Sequence, residues 1–198
     1  MMWNEIDTLK FTDIRSFGIS LLNNVPDYFF SVPASSSGKY HPVGDLGEGG
    51  LVRHSIAVKR MLEHLMEPYG YYDFTEREKD LLKLAALFHD CFKSGTQEEY
   101  EKNPRTKFLH PILAVNFITY YSCLTGFDYD DASFISSAVA THMGQWNKSR
   151  DNILPEPKEP HQKILHLADY LASRQDINMD IKDPEEVKEE PEIIDIGL

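Results

Sequence analysis

Leu81-Leu82-Lys83-Leu84-Ala85-Ala86-Leu87-Phe88-His89-Asp90-Cys91-Phe92-Lys93 decides how this chain is read. Leu82, Ala85 and Ala86 stand seven, four and three residues before His89, so a helix here carries the imidazole on the apolar face that enters a core. A histidine and a carboxylate side by side at the inner end of a buried helix need partners: hydrogen bonds, each other or a metal ion. The dipeptide alone fits a hydrogen-bonded core pair as well as a ligand pair, and the rest of the chain decides between them.

Upstream, Leu51, His54, Val58, Met61 and Leu65 fall at offsets of zero, three, seven, ten and fourteen, one helical stripe with His54 inside it. His64 shares its face with Arg53, Arg60 and Glu67 and reads as a solvated surface residue. Thr75 with Glu78 three residues on has the form of a capping box and opens the helix that ends at His89. Residues 12–23 give a packing helix through Ile14, Phe17, Gly18, Leu21 and Leu22, with Thr12 or Asp13 as its cap. Between the two lies turn and loop, including the glycine run 44–50, either a flexible connector or a place where backbone approaches a ligand closely.

Downstream, 93–108 reads as a polar loop, long enough to be a lid or specificity loop, that carries Lys93, Lys102, Arg105 and Lys107. His110 precedes Pro111 and so sits near the start of a helix over 112–121. Ile135, Ala138, Val139 and His142 occupy offsets of zero, three, four and seven, again a histidine at the end of an apolar stripe, with Gly144 as the stop. A last helix over 161–174 places Leu165, Ala168 and Ala172 on one face with Asp169 beside them, a costly position for an unpaired carboxylate. His166 on that helix faces either solvent or the back of a site. No strand pattern and no repeat occurs, so the expected fold is all-α, with residues 1–175 as one domain. Residues 176–198 hold nine Asp/Glu against two lysines and read as an acidic, loosely ordered tail.

At 198 residues the chain can bury a core without staples. A net charge of −12 disfavours a phosphate-neutralising surface for long nucleic acid, though not a local basic pocket. Two cysteines, Cys91 and Cys123, do not make a disulfide framework. With no signal-peptide pattern and no long apolar run, the expectation is a soluble cytoplasmic protein with no membrane segment.

The core-facing polar residues collect as His54, His89-Asp90, His110, His142 and Asp169. Four imidazoles and two carboxylates on separate helices exceed what an apolar core absorbs without metal ions. Two ions share them: Asp90 bridges with its two oxygens, His54, His89 and Asp169 complete one site, and His110 with His142 the other.

The order His, His-Asp, His, His, Asp resembles the HD-domain metal-dependent phosphohydrolase superfamily, in its two-metal branch. Pro33-Ala34-Ser35, Lys39-Tyr40-His41, Gly49-Gly50-Leu51-Val52-Arg53-His54-Ser55 and Leu165-His166-Leu167-Ala168-Asp169 are similar to stretches of its 3′–5′ exoribonuclease-like members. The resemblance implies a compact helical bundle of about six or seven helices, with His54, His89, Asp90 and Asp169 as core ligands and His110 and His142 as additions for a second divalent ion (Mn, Fe, Zn, Ni or Mg). It departs from the family pattern where Phe92 replaces a glycine before Lys93 and where Met143 replaces a second histidine after His142, and no Gly-Tyr-Pro signature follows. The activity implied is hydrolysis of a phosphate ester in a nucleotide or short oligonucleotide by a metal-activated water. Asp90, Lys93 and His41 are the candidate catalytic residues, and Lys93, Arg105 and Lys107 the candidate substrate-binding ones. The same ligand order serves di-iron oxygenases of the superfamily, and a non-catalytic nucleotide-binding module is a third reading. Oligomeric state is not legible in the sequence.

Overall fold

The computed structural model describes residues 1–35, 38–67 and 72–177, so most of the acidic tail lies outside the described residues. Among the described residues there are eight α-helices: α1 Met2–Asp7, α2 Thr12–Leu22, α3 Gly50–Leu65, α4 Glu76–Phe88, α5 Gln97–Lys102, α6 His110–Thr125, α7 Tyr129–Thr141 and α8 Pro160–Ala172. Among the described residues there is no strand, only one isolated bridge between Lys148 and Ile153. The expected all-α fold stands. Two six-residue helices add to the longer ones: α1, which buries only Met2 and Ile6, and α5, which buries nothing and so carries no apolar stripe to read. No helix among the described residues is long and apolar enough to cross a membrane.

Helix α3 lies against α4 and α8, and α7 packs against α4, α6 and α8. Their apolar faces meet in one core that includes Leu51, Val58, Leu62, Leu82, Ala85, Ala86, Ile135, Val139, Leu165 and Ala168. The stripes that ended in histidine are thus the buried stripes, and the polar residues at their ends are carried inward with them. Helices α1 and α2 close one side through Ile6, Ile14, Phe17 and Leu21.

Polar groups buried in that closure are matched. Lys59, 2% exposed, pairs with Glu5 at 2.8 Å and Glu63 at 2.9 Å, while Arg60 reaches the other oxygen of Glu5 at 3.0 Å, which pins α1 to α3. At the head of α2 neither Thr12 nor Asp13 is the cap. The helix begins at Thr12 with Phe11 in the cap position, and Asp80 on α4 accepts the backbone N–H groups of Phe11, at 3.1 Å, and Lys10. Thr75 and Glu78 do form the reciprocal capping box at the head of α4.

The glycine run is tied down rather than a free connector. Its backbone is hydrogen-bonded to the segment before it, with Ala34 donating to Asp45 at 3.0 Å, Gly49 to Ser31 at 3.1 Å and Leu51 to Val32 at 2.9 Å. Gly50 is required by that packing: a Cβ there would lie 2.0 Å from the carbonyl oxygen of Asp45. The contact fixes Asp45 beside the first turn of α3.

Removing the buried Asp80 carboxylate leaves the part-buried N–H groups of Lys10 and Phe11 and the Lys83 ammonium unpaired, which costs about 1–3 kcal/mol, whereas losing the Thr75 cap costs about 1 kcal/mol. Urea denaturation of Asp80→Ala and Thr75→Ala is therefore expected to rank Asp80→Ala as the less stable variant. The opposite order would contradict the capping of α2 from α4.

Candidate metal centre

Three of the site histidines sit at helix ends. His89 follows the last residue of α4, His142 follows the last residue of α7, and His110 opens α6. A helix end leaves carbonyls without intrahelical partners, and two of these rings take up such a carbonyl. His89 Nδ1 lies 2.7 Å from the Ala86 carbonyl oxygen and His142 Nδ1 lies 2.8 Å from that of Val139. His110 Nδ1 lies 2.7 Å from the Lys107 carbonyl oxygen in the preceding turn. A carbonyl oxygen only accepts, so each Nδ1 carries the proton and each Nε2 presents a lone pair when the ring is neutral.

Those Nε2 atoms converge. His110 Nε2 is 3.1 Å from His142 Nε2 and 2.9 Å from Asp90 Oδ1, and His142 Nε2 is 3.5 Å from the same oxygen. His89 Nε2 is 3.6 Å from Asp90 Oδ2 and 3.7 Å from Asp169 Oδ1, and His54 Nε2 is 3.0 Å from Asp169 Oδ1. All six residues predicted as ligands are therefore in one cluster. Their donor atoms fall into overlapping triads, His54–His89–Asp90, His89–His142–Asp169 and Asp90–His110–His142, each within 4.8 Å. Asp90 stands between, one oxygen toward His110 and His142 and the other toward His89.

The donor set fits a metal. His89 Nε2 and Asp90 Oδ1 are buried without a hydrogen-bond partner; the close approach of His110 to Asp90 Oδ1 lacks hydrogen-bond alignment. Burial pushes His110 down and its neighbours His142 and Lys93 add to this, against the pull of Asp90, so the ring is driven toward the neutral form. Neutral nitrogen lone pairs facing one another and carboxylate oxygens repel unless a cation lies among them. Asp90 and Asp169 meet the desolvation cost of burial but are held well below the usual carboxylate range. Lys93, His89 and His110 do this for Asp90, and His54 and His89 for Asp169.

His54 is oriented differently. Its Nδ1 faces Asp45 Oδ2 at 3.4 Å, too poorly aligned for a hydrogen bond but close enough for strong attraction. Burial lowers its pKa, and Asp169 and Asp45 more than reverse this, raising it to about 9. Asp45 also lies 3.3 Å from His41 Nδ1, so one buried carboxylate sets the orientation of two rings. Sequence reading missed Asp45, because a lone acid inside a glycine run belongs to no periodic stripe. His166 is held behind the site: its Nδ1 donates to the His142 carbonyl at 2.8 Å, and its ring fills the space beside Gly144, where a Cβ would lie 2.1 Å away and where φ is +52°.

The cluster floors a cavity of about 490 Å³. His41 and Lys93 line it, as do Thr106, Tyr40, Trp146 and Arg174. Lys93 Nζ pairs with Asp90 Oδ2 at 2.5 Å. Arg105 and Lys107 do not reach this lining; Arg105 is exposed, and Lys107 Nζ faces Glu99 at 3.7 Å. The second cation of the cavity is Arg174, which the sequence did not mark.

Residues 51–174 match the family model described as HD domain. No curated protein and no solved structure matches the chain.

Adding a divalent ion to chelator-treated protein at about a hundred times its dissociation constant is expected to raise the thermal midpoint by roughly 5–10 °C. Asp90→Asn is expected to abolish that rise, and a variant that keeps it would contradict the ligand assignment. Asp45→Asn is expected to fold normally and weaken metal affinity by about 10–100-fold, measured by competition with a chelating dye.

Proposed function

The chain belongs to the HD-domain metal-dependent phosphohydrolase superfamily, and from that premise we propose that it hydrolyses a phosphate ester bond in a nucleotide or short oligonucleotide. The observation that carries the reading is the cluster of His54, His89, Asp90, His110, His142 and Asp169, all but His89 lining the cavity, beside the ammonium group of Lys93. In this reading His54, His89, Asp90 and Asp169 hold one divalent ion and Asp90, His110 and His142 a second. When bound, such ions lower the pKa of water and offset charge on phosphoryl oxygens.

The protein's own groups do the rest. Lys93 stands beside Asp90 and supplies the positive charge that fixes a phosphate, and Arg174 adds a second cation on the outer wall of the cavity. His41, with Nδ1 turned to Asp45, keeps Nε2 for the substrate and its leaving oxygen. Asp45 and the backbone carbonyls of Ala86, Lys107 and Val139 keep the imidazoles aimed before substrate arrives, so little reorganisation is needed during reaction. The acidic balance of the chain favours a small phosphorylated substrate over long nucleic acid.

The test is phosphate or nucleotide release from a panel of nucleoside monophosphates, dinucleotides and simple phosphodiesters, with Mn²⁺, Fe²⁺, Zn²⁺, Ni²⁺ or Mg²⁺ added. Turnover is expected on at least one substrate, falling by about 10³-fold or more in Asp90→Ala, with Lys93→Ala acting mainly on KM. Oxygen consumption by an iron-loaded sample that hydrolyses nothing would overturn the hydrolase in favour of an oxygenase.

A further inference from the structure

The outer wall of the cavity has a chemistry that the metal-ligand floor does not explain. Tyr40 is 52% exposed and Trp146 46% exposed, yet both line the cavity. Trp146 lies over Tyr170 with ring centroids 5.6 Å apart and planes 20° from parallel. The Arg174 guanidinium lies between two rings, 4.5 Å from the centroid of Tyr170 and 5.3 Å from that of Tyr40. Its Nη2 donates to Ser173 Oγ at 3.1 Å, while its buried Nε–H has no partner among the described residues. Half-exposed aromatic rings beside a guanidinium group that lines the same cavity form a surface that a flat ring would cover.

Chain connectivity ties this wall to the floor. Tyr40 adjoins His41, Tyr170 adjoins Asp169, and the short 3-10 turn Gly144–Trp146 begins two residues after His142. The Gly144 turn is itself fixed by His166, whose ring also meets the edge of Trp146 at 6.0 Å. The wall therefore stands at a set distance from the ligands, and a molecule that touches both needs an anionic group at one end and an apolar ring at the other. The cavity, at about 490 Å³, is the size of sites for small organic ligands.

We infer that Tyr40, Trp146 and Arg174 form a nucleobase-binding subsite. The base packs against the exposed parts of both Tyr40 and Trp146, with the Arg174 guanidinium beside it. Stacking of this kind tolerates any base, so the subsite selects nucleotides over phosphorylated sugars rather than one base over another. The inference rests on the reading of the floor as a phosphate site and adds the class of group the phosphate carries.

The chain has two tryptophans, so Trp3→Phe leaves Trp146 as the sole indole reporter. Its fluorescence is titrated with adenosine, guanosine, cytidine and uridine, which carry no phosphate to hydrolyse, and with ribose 5-phosphate. Saturable quenching by at least one nucleoside is expected, with little or none from ribose 5-phosphate. Tyr40→Ala in the same background is expected to raise the nucleoside Kd by about tenfold. In kinetics, Trp146→Ala is expected to lower the preference for a nucleotide over ribose 5-phosphate by a similar factor. No quenching by any of the four nucleosides, equal quenching by ribose 5-phosphate, or an unchanged Kd in Tyr40→Ala would each overturn the subsite. Nucleotide hydrolysis without nucleoside quenching removes the subsite and leaves the hydrolase reading standing; quenching without hydrolysis of any phosphate ester does the reverse.

Discussion

Imidazole nitrogens that cannot hydrogen-bond to one another are the constraint around which this structure is organised. His89, His110 and His142 each spend Nδ1–H on a backbone carbonyl, so their Nε2 lone pairs meet each other and the carboxylate of Asp90. A protein interior normally pairs donors with acceptors. Here acceptors meet acceptors at buried positions, an arrangement that a divalent cation satisfies and an apolar core does not. Protons are the competing solution, and burial works against them at His110.

The helical bundle serves that constraint through its ends rather than its faces. His89 and His142 follow the last residues of α4 and α7 and His110 opens α6, so backbone carbonyls at or just before these helix ends accept from the rings and orient them. Only His54 and Asp169 project from within helices, and His54, lacking a helix-end carbonyl, has Asp45 instead. Stability is supplied away from the site by the apolar stripes and by matched buried charges such as Lys59 with Glu5 and Glu63. This separation lets the cluster hold mutually repelling groups without unfolding the domain.

The main helices and the converging histidines were legible because burial imposes a period, and a histidine that interrupts an apolar stripe is visible as an exception to it. Asp45 was not legible, since its burial comes from loop backbone packed against Gly50, a contact with no sequence period. Helix α5 was read as loop because it buries no residue fully; its own capping box and one aromatic contact, Tyr100 stacked on Tyr28 at 4.5 Å, hold it, and neither makes a periodic apolar face. Arg105 and Lys107 looked closest to the site along the chain. They sit on the segment between α5 and α6, where Arg105 is exposed and Lys107 Nζ faces Glu99, while Arg174, just past the end of α8, lines the cavity.

The central claim is that the buried cluster is built for metal ions, and elemental analysis of the purified full chain, folded and metal-replete, tests it most directly. The account predicts about two divalent ions per chain, falling to about one in His110→Ala, which removes a ligand from only one of the two sites. Wild-type protein that stays folded and binds no metal at micromolar concentrations of any of the candidate ions would contradict it.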